Sequence, residues 1–220
     1  MNASSSLLPI ALTAILTAAP VLGAGPQGRQ PTQPILADLD AGETADLIWM
    51  REEERVARDV YLAMDEVWQQ LPFENIARSE QKHMDAVKVA MDRYSLADPS
   101  DPNAGGVFND PDLQKLYDEL VDRGDNSFLE ALHVGALIEE VDIEDLENAI
   151  LATNNLDLQT MYGNLLRGSR NHLRAFVAEI ERQGDVYEAQ HLDPAVVDAI
   201  ADSPMERGGN GGGAGSGGRR

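Results

Sequence analysis

Six side chains able to bind a cation or carry a proton fall at helical spacing within otherwise apolar stripes: Glu54, Glu80, His83, Glu139, Asp142 and His172. The densest case lies between Phe73 and Tyr94. There the stripe Phe73, Ile76, Glu80, His83, Val87, Met91, Tyr94 advances by three or four residues, so one helix face carries it all. A buried Glu and His are costly unless they pair or bind a metal. Glu-x-x-His on the inner face of a helix is a pattern that carboxylate metal sites between helices use. A plain Glu–His pair, or a histidine satisfied by a core hydrogen bond, explains the same stretch without a metal.

The elements that must position these groups are legible from the same periodicity. A helix over residues 45–70 presents Leu47, Met50, Glu54, Ala57, Tyr61, Met64 and Trp68 on its inner face. Beside that stripe Glu52 and Glu53, with Arg51, Arg55 and Arg58, read as solvated surface partners. After the Leu71-Pro72 break comes the Glu-x-x-His helix. A loop rich in Asp, Pro and Gly follows over residues 96–110, with no EF-hand pattern. A short helix over residues 111–122 ends with Gly124 as the expected C-cap. Ser127 then caps a third long helix, with Glu130 completing a capping box. Its stripe is Leu132, Ala136, Glu139, Asp142/Ile143, Leu146 and Ile150, with Glu140, Glu144, Asp145 and Glu147 turned outward. The fourth long helix, residues 158–183, carries Tyr162, Leu165, Ser169, His172, Phe176 and Ile180 and stops at Gly184. His133 and His191 fall off these stripes and read as surface residues.

Each of four long amphipathic helices thus carries an acid or imidazole near its middle. Glu54, Glu80, Glu139, His83 and His172 in one buried layer need a compensating charge. No Arg or Lys lies on the central stripes, so a divalent metal is the simplest counter-charge. Tyr61, Tyr94 and Tyr162 share the inner faces and are candidates for redox or ligand-orienting partners, or for plain packing.

Composition sets the bounds. The chain has 220 residues, 43% of them hydrophobic and only 5% aromatic, enough for one real core and better suited to helices than to a β-sandwich. A net charge of −21 argues against nucleic acid and against an anionic membrane as partners. The absence of Cys excludes thiolate metal sites, thiol catalysis and a rubredoxin-like electron-transfer module. Residues 1–23 are predicted to be a secretory signal peptide, although MNASSS carries no Lys or Arg; cleavage after Gly23 or Ala24 would deliver a periplasmic or secreted protein. Residues 24–43 read as a linker, 44–195 as the helical domain and 196–220 as a flexible Gly-rich tail.

The stretches MREEERVARDVY (Met50–Tyr61), FENIARSEQKHM (Phe73–Met84), GALIEEVDIEDLE (Gly135–Glu147) and RGSRNHLRAF (Arg167–Phe176) resemble the ferritin-like superfamily. Within it they resemble domain-of-unknown-function family 2202, over roughly residues 45–190. The resemblance implies an all-α, rubrerythrin-like four-helix bundle with an extra short helix in the crossover between helices 2 and 3. It matches Glu54, Ala57, Arg58 and Tyr61 to the first-helix motif, Glu80 and His83 to the second, and Glu139 to the third. On the fourth helix the superfamily's second Glu-x-x-His is replaced by Ser169-x-x-His172, so one carboxylate is absent. Glu54, Glu80 and Glu139 give three negative charges against four on two divalent ions; Asp142 restores the fourth if it turns inward, and Ser169 can instead hydrogen-bond a water or a ligand carboxylate. Three readings remain: a dimetal site rebuilt with Asp142, a mononuclear site, and a degenerate site. The resemblance implies two iron ions, or manganese or zinc, reacting with dioxygen or peroxide in an oxidase, peroxidase or iron-handling protein, monomeric or homo-oligomeric. The alternative is a non-enzymatic helical binding or structural domain.

Overall fold

The computed structural model describes residues 38–101 and 104–208, all helix and loop, with no strand among the described residues. Six helices follow in order: α1 (Ala41–Trp68), α2 (Phe73–Arg93), α3 (Pro111–Gly124), α4 (Phe128–Ala152), α5 (Leu156–Arg182) and α6 (Pro194–Ala201). The expected leader and most of the linker, residues 1–37, lie outside the described residues, as do residues 209–220 of the tail.

Local chemistry sets the helix starts. Asp40 accepts from the Glu43 amide at 2.9 Å while Glu43 accepts from the Asp40 amide at 3.0 Å, a reciprocal capping box four residues before the expected start. Glu43 does more than cap. It is buried and also accepts from Thr153 Oγ1 at 2.5 Å and Asn155 Nδ2 at 2.8 Å, tying the start of α1 to the α4–α5 turn. Asp110 caps α3 ahead of Pro111, and Ser127 Oγ caps α4 by accepting from the Glu130 amide at 3.1 Å. The expected box at Ser127 is half made, because the Glu130 carboxylate accepts from Arg123 Nε at 3.0 Å instead.

Short connections join α1 to α2 and α4 to α5, so each pair packs as an antiparallel hairpin. The hairpins meet through α1 against α4 and α2 against α5; α3 lies in the long connection and packs on α1 and α4, and α6 packs on α5. The shared core holds Leu47, Met64, Phe73, Met91, Leu132 and Phe176, all with no exposed surface.

Four expectations are corrected by this packing. Gly124 is the last helical residue of α3 rather than a left-handed cap; a Cβ there would lie 2.4 Å from Met64 Cε and Sδ, so the end of that side chain would have to shift. The folded unit runs past 195. Residues 194–201 are helical, Val197 and Ile200 are buried, and Arg174 of α5 donates to Ile200 O at 2.8 Å and to Glu206 Oε1 at 2.9 Å. Arg51, Arg55, Arg58 and Glu52 are buried, not solvated: Asp98, Ser100, Ala104 and Val107 of the loop over residues 96–110 meet Arg51, Arg55 and Glu52, while Arg58 is held between Asp59 and Gln81 of α2. Arg51 forms two bonds to Asp98 at 3.1 and 2.9 Å; Arg55 donates to Ala104 O at 2.7 Å and lies 4.4 Å above the Phe108 ring. Glu140 is also fully buried, since residues 187–192 fold over α4 and point three backbone amides at it.

Candidate metal centre

Glu80 and His83 stand one turn apart on α2, and the neighbouring helices bring their partners to the same depth. His83 Nδ1 lies 2.7 Å from Glu80 Oε2 and 3.2 Å from Glu54 Oε2 of α1. His172 Nδ1 of α5 lies 2.7 Å from Glu80 Oε1 and 3.4 Å from Glu139 Oε2 of α4. The two imidazoles stack, with centroids 5.5 Å apart and planes at 27°. Glu80 therefore turns one oxygen to each histidine. Two groups result, Glu54/Glu80/His83 and Glu80/Glu139/His172, each with ligand atoms within 4.8 Å of one another and with Glu80 common to both.

The hydrogen-bond count within this layer is incomplete. Glu54 Oε1, Glu80 Oε1, Asp142 Oδ1 and His172 Nδ1 are enclosed and make no hydrogen bond. Glu80 Oε1 and His172 Nδ1 are only 2.7 Å apart, yet their geometry is not that of a hydrogen bond. Each buried polar atom left unpaired costs about 1–3 kcal/mol. Lone pairs of N and O donors gathered in one enclosed layer are the donor chemistry that divalent metals such as iron, manganese and zinc accept. The residues present therefore fit such ions.

Electrostatics follow from enclosing acids together. Burial pushes the Glu54 carboxyl up to about 8 despite the nearby His83. Burial also raises Glu139, aided by the Glu80 charge, and raises Asp142 well above its ordinary value, aided by Glu54 and Glu139. Glu80 goes the other way: burial opposes its charge, but His172 and His83 on either side hold it well below the usual carboxylate range. For His172, burial is outweighed by Glu80 and Glu139, which lift it to about 10; His83 is raised by Glu54 and Glu80 in the same way. Without a metal, protons do the compensating.

Of the six sequence-expected ligands, five enter the two groups. Asp142 is buried in the same region but belongs to neither; its Oδ2 accepts a short hydrogen bond from Ser169 Oγ. Ser169, standing where the resemblance expects Glu, thus meets a carboxylate from α4. Tyr61 is the one inner-face tyrosine bonded to the layer, donating to Glu139 Oε1 at 2.6 Å. Tyr94 instead donates to Asp157, and the Tyr162 hydroxyl is enclosed without a partner. His133 and His191 lie away from the layer, against Asp185 and Glu144.

Two contributors escape the periodicity argument. Gly168 of α5 leaves room for His83: a Cβ there would lie 2.5 Å from Nε2 and 2.6 Å from Cε1. The only sequence signal is a Gly-Ser pair inside a helical stretch, which does not say what fills the space. Glu53 was expected to be solvated; although partly exposed as a residue, its Oε2 is enclosed and unpartnered. Burial first, then the Asp142 and Asp145 charges, raise its pKa well above the ordinary value.

A domain that is all-helical over its described residues, with a buried carboxylate–imidazole layer, is the class that fold and site define. The chain belongs to the family described as uncharacterized protein domain (DUF2202), whose profile matches residues 43–204. It is 46% identical over 180 residues to the uncharacterized protein MJ0754 of Methanocaldococcus jannaschii, covering 82% of this chain and 95% of the relative. The crystal structure of hypothetical protein MJ0754 from Methanococcus jannaschii DSM 2661 matches with a TM-score of 0.74 and 45% identity, over 81% of this chain and all of that one.

Proposed function

We propose that the protein is a ferritin-like dimetal protein, a four-helix bundle of α1, α2, α4 and α5 with α3 in the crossover, using a pair of iron ions to turn over dioxygen or peroxide. The observation that carries this reading is the position of Glu80, one oxygen toward each of two stacked imidazoles, with a further carboxylate completing either side. Glu54, Glu80 and His83 would hold one ion, and Glu80, Glu139 and His172 the other. Bound iron supplies the capacity to exchange electrons with the oxidant.

The chain's own residues supply orientation and dryness. Tyr61 holds the Glu139 carboxylate from behind, and Ser169 holds Asp142. Asp142 adds a fourth acidic group beside the three ligand carboxylates, matching the charge of two divalent ions. Glu54, Glu80 and Glu139 are themselves almost without exposed surface, which limits the access of bulk water to the ligand oxygens. The apolar leader at residues 7–22 suggests that this chemistry operates outside the cytoplasm.

The test is metal content with and without the bridging pair. After reconstitution with ferrous iron, manganese and zinc in turn, elemental analysis should find two ions per chain in the purified protein. Glu80→Ala/His83→Ala should lose both, since Glu80 serves both groups. A single ion would replace the dimetal reading with a mononuclear one, and none would refute metal binding. Oxygen uptake on addition of ferrous iron then tests the redox role.

A further inference from the structure

Trp49 takes part in neither the core nor the candidate metal centre. It is 47% exposed, and its side chain helps to line three cavities. The first, about 160 Å³, lies between α1, α3 and α4; Leu113, Leu116, Ile138 and Val141 are among its walls, which are almost wholly apolar. The second, about 180 Å³, lies between α1 and α4, beside Asp46, Asp145 and Ala152. The third, about 240 Å³, lies between α1, Pro99 and Leu113. Ile48 and Leu116, in the walls of the third and the first, are 38% and 43% exposed. Exposed apolar side chains gathered around one tryptophan mark an interaction surface. From Asp46 to Ala57, the outermost α1 residues of the first two cavities, the rise is about 16 Å, or about three turns of helix.

The charge along this groove has one sign. Asp46, Glu52, Glu53, Asp110 and Asp145 line the three cavities, and no Lys or Arg does. Two of these acids are accounted for: Glu52 meets Arg55 and Ser100, and Asp110 caps α3. The other three are not balanced. Among the described residues no ion pair reaches Asp46, Glu53 or Asp145; Glu53 Oε2 is enclosed without a hydrogen bond, and Asp145 Oδ2 accepts from Trp49 Nε1 at 3.4 Å. An apolar groove of this length with an acidic rim matches a short amphipathic helix whose apolar stripe is flanked by basic residues. A second copy of this chain does not match, because it brings another net charge of −21. Nor do the chain's own residues outside the described portion. Residues 1–28 contain no Lys or Arg, 29–37 are interrupted by Pro31 and Pro34, and 209–220 contain no apolar side chain larger than Ala.

We infer that the groove around Trp49, floored by α1 and walled by α3 and α4, docks an amphipathic helix of a basic partner protein. Trp49 is the central anchor, reached from all three cavities. Apolar side chains of the partner fill the cavity between α1, α3 and α4, and its Lys or Arg residues meet Asp46 and Asp145 on the rim. The surface needs no metal, so it stands apart from the dimetal reading.

The probe is a fluorescein-labelled helical peptide of about fourteen residues, with leucines at i, i+3, i+4 and i+7 and lysines on both flanks of that stripe. Its anisotropy is followed as the full chain is added, beside the same peptide with glutamate in place of every lysine. The lysine peptide should bind, more weakly as salt rises, and the glutamate peptide should not. Trp49→Ala should weaken binding about 30-fold or more, as loss of a central anchor does. Asp46→Asn/Asp145→Asn should weaken it about three- to tenfold and flatten the salt dependence. Thermal melts check that both variants fold; if Trp49→Ala does not, the double variant, whose acids lie at the surface, decides alone. Equal binding of the two peptides, or binding of neither, overturns the inference. So does undiminished binding to a folded variant. Sedimentation of the chain alone tests the remaining occupant: self-association abolished by Trp49→Ala would put a second copy in the groove and overturn the basic partner.

Discussion

Gly168→Ala isolates the placement of one ligand from the stability of the fold. The new Cβ would lie 2.5 Å from His83 Nε2, whereas ordinary contacts begin at 3.4 Å, so the ring must withdraw by about 0.9 Å. A ring pivoting about its own Cβ moves Nδ1 roughly two-thirds as far as Nε2, and ligand distances tolerate only about 0.2 Å. His83 should therefore leave its coordinating position, lowering metal affinity about 10–100-fold, as supporting-residue changes at metal sites do. The fold should survive: alanine improves helix propensity by up to about 1 kcal/mol, against roughly 1–3 kcal/mol of overpacking. A net change near 1 kcal/mol moves Tm by roughly 2–4 °C in a domain of this size. Gly163→Ala is the control, because it sits on the same helix and a Cβ there meets nothing within 4 Å. Chelator competition and thermal melts on both variants give the two readouts. If Gly168→Ala binds two ions as tightly as the parent, His83 is not held by this contact and the reasoning fails.

Other consequences can be checked separately. Metal affinity should rise with pH and binding should release protons, because each imidazole Nδ1 faces carboxylates at 2.7 Å and any proton there must leave before a metal enters; calorimetry in buffers of different ionisation enthalpy would detect the release, and pH-independent affinity would contradict it. Arg55→Met removes the donor to Ala104 O and the longer ion pairs with Glu52 and Asp59, but Glu52 keeps Ser100, and Asp59 keeps Arg58 and the Gly106 amide; it should cost about 1–3 kcal/mol and make the segment around Ala104 more open to proteolysis. Glu140→Ala leaves the amides of Gln190, His191 and Leu192 without their acceptor and should destabilise the fold by at least about 3 kcal/mol in chemical denaturation. Hydrogen bonds from Arg170 and then Arg174 hold Glu206 down to about 2, from an ordinary 4.5. Its contribution is therefore present above pH 4.5 and lost as pH falls through about 2. Solvent exposure limits it to about 1 kcal/mol, and Glu206→Gln should flatten the acid limb of stability against pH by that amount.

What the sequence determined by itself was periodicity and its interruptions. Apolar residues at three- and four-residue steps were enough to mark four long helices, and an acid or imidazole at mid-stripe was enough to single out Glu54, Glu80, His83, Glu139 and His172, because side chains spaced that way must share a helix face. The local cap at Ser127 was legible for the same reason, being an interaction between near neighbours. Periodicity describes one helix at a time, and the remaining features depend on what covers the other faces. Arg51, Arg55 and Glu140 look like surface residues until Asp98, Ala104 and the segment 187–192 come to lie against them, and Arg58 until Gln81 of α2 meets it. Pro194–Ala201 became part of the fold because Val197 and Ile200 bury themselves and Arg174 reaches back to that segment. Within the candidate site, only tertiary structure decided that Glu80 faces both histidines while Asp142 turns to Ser169. Those distances are set by helices distant in sequence, and no spacing along the chain encodes them.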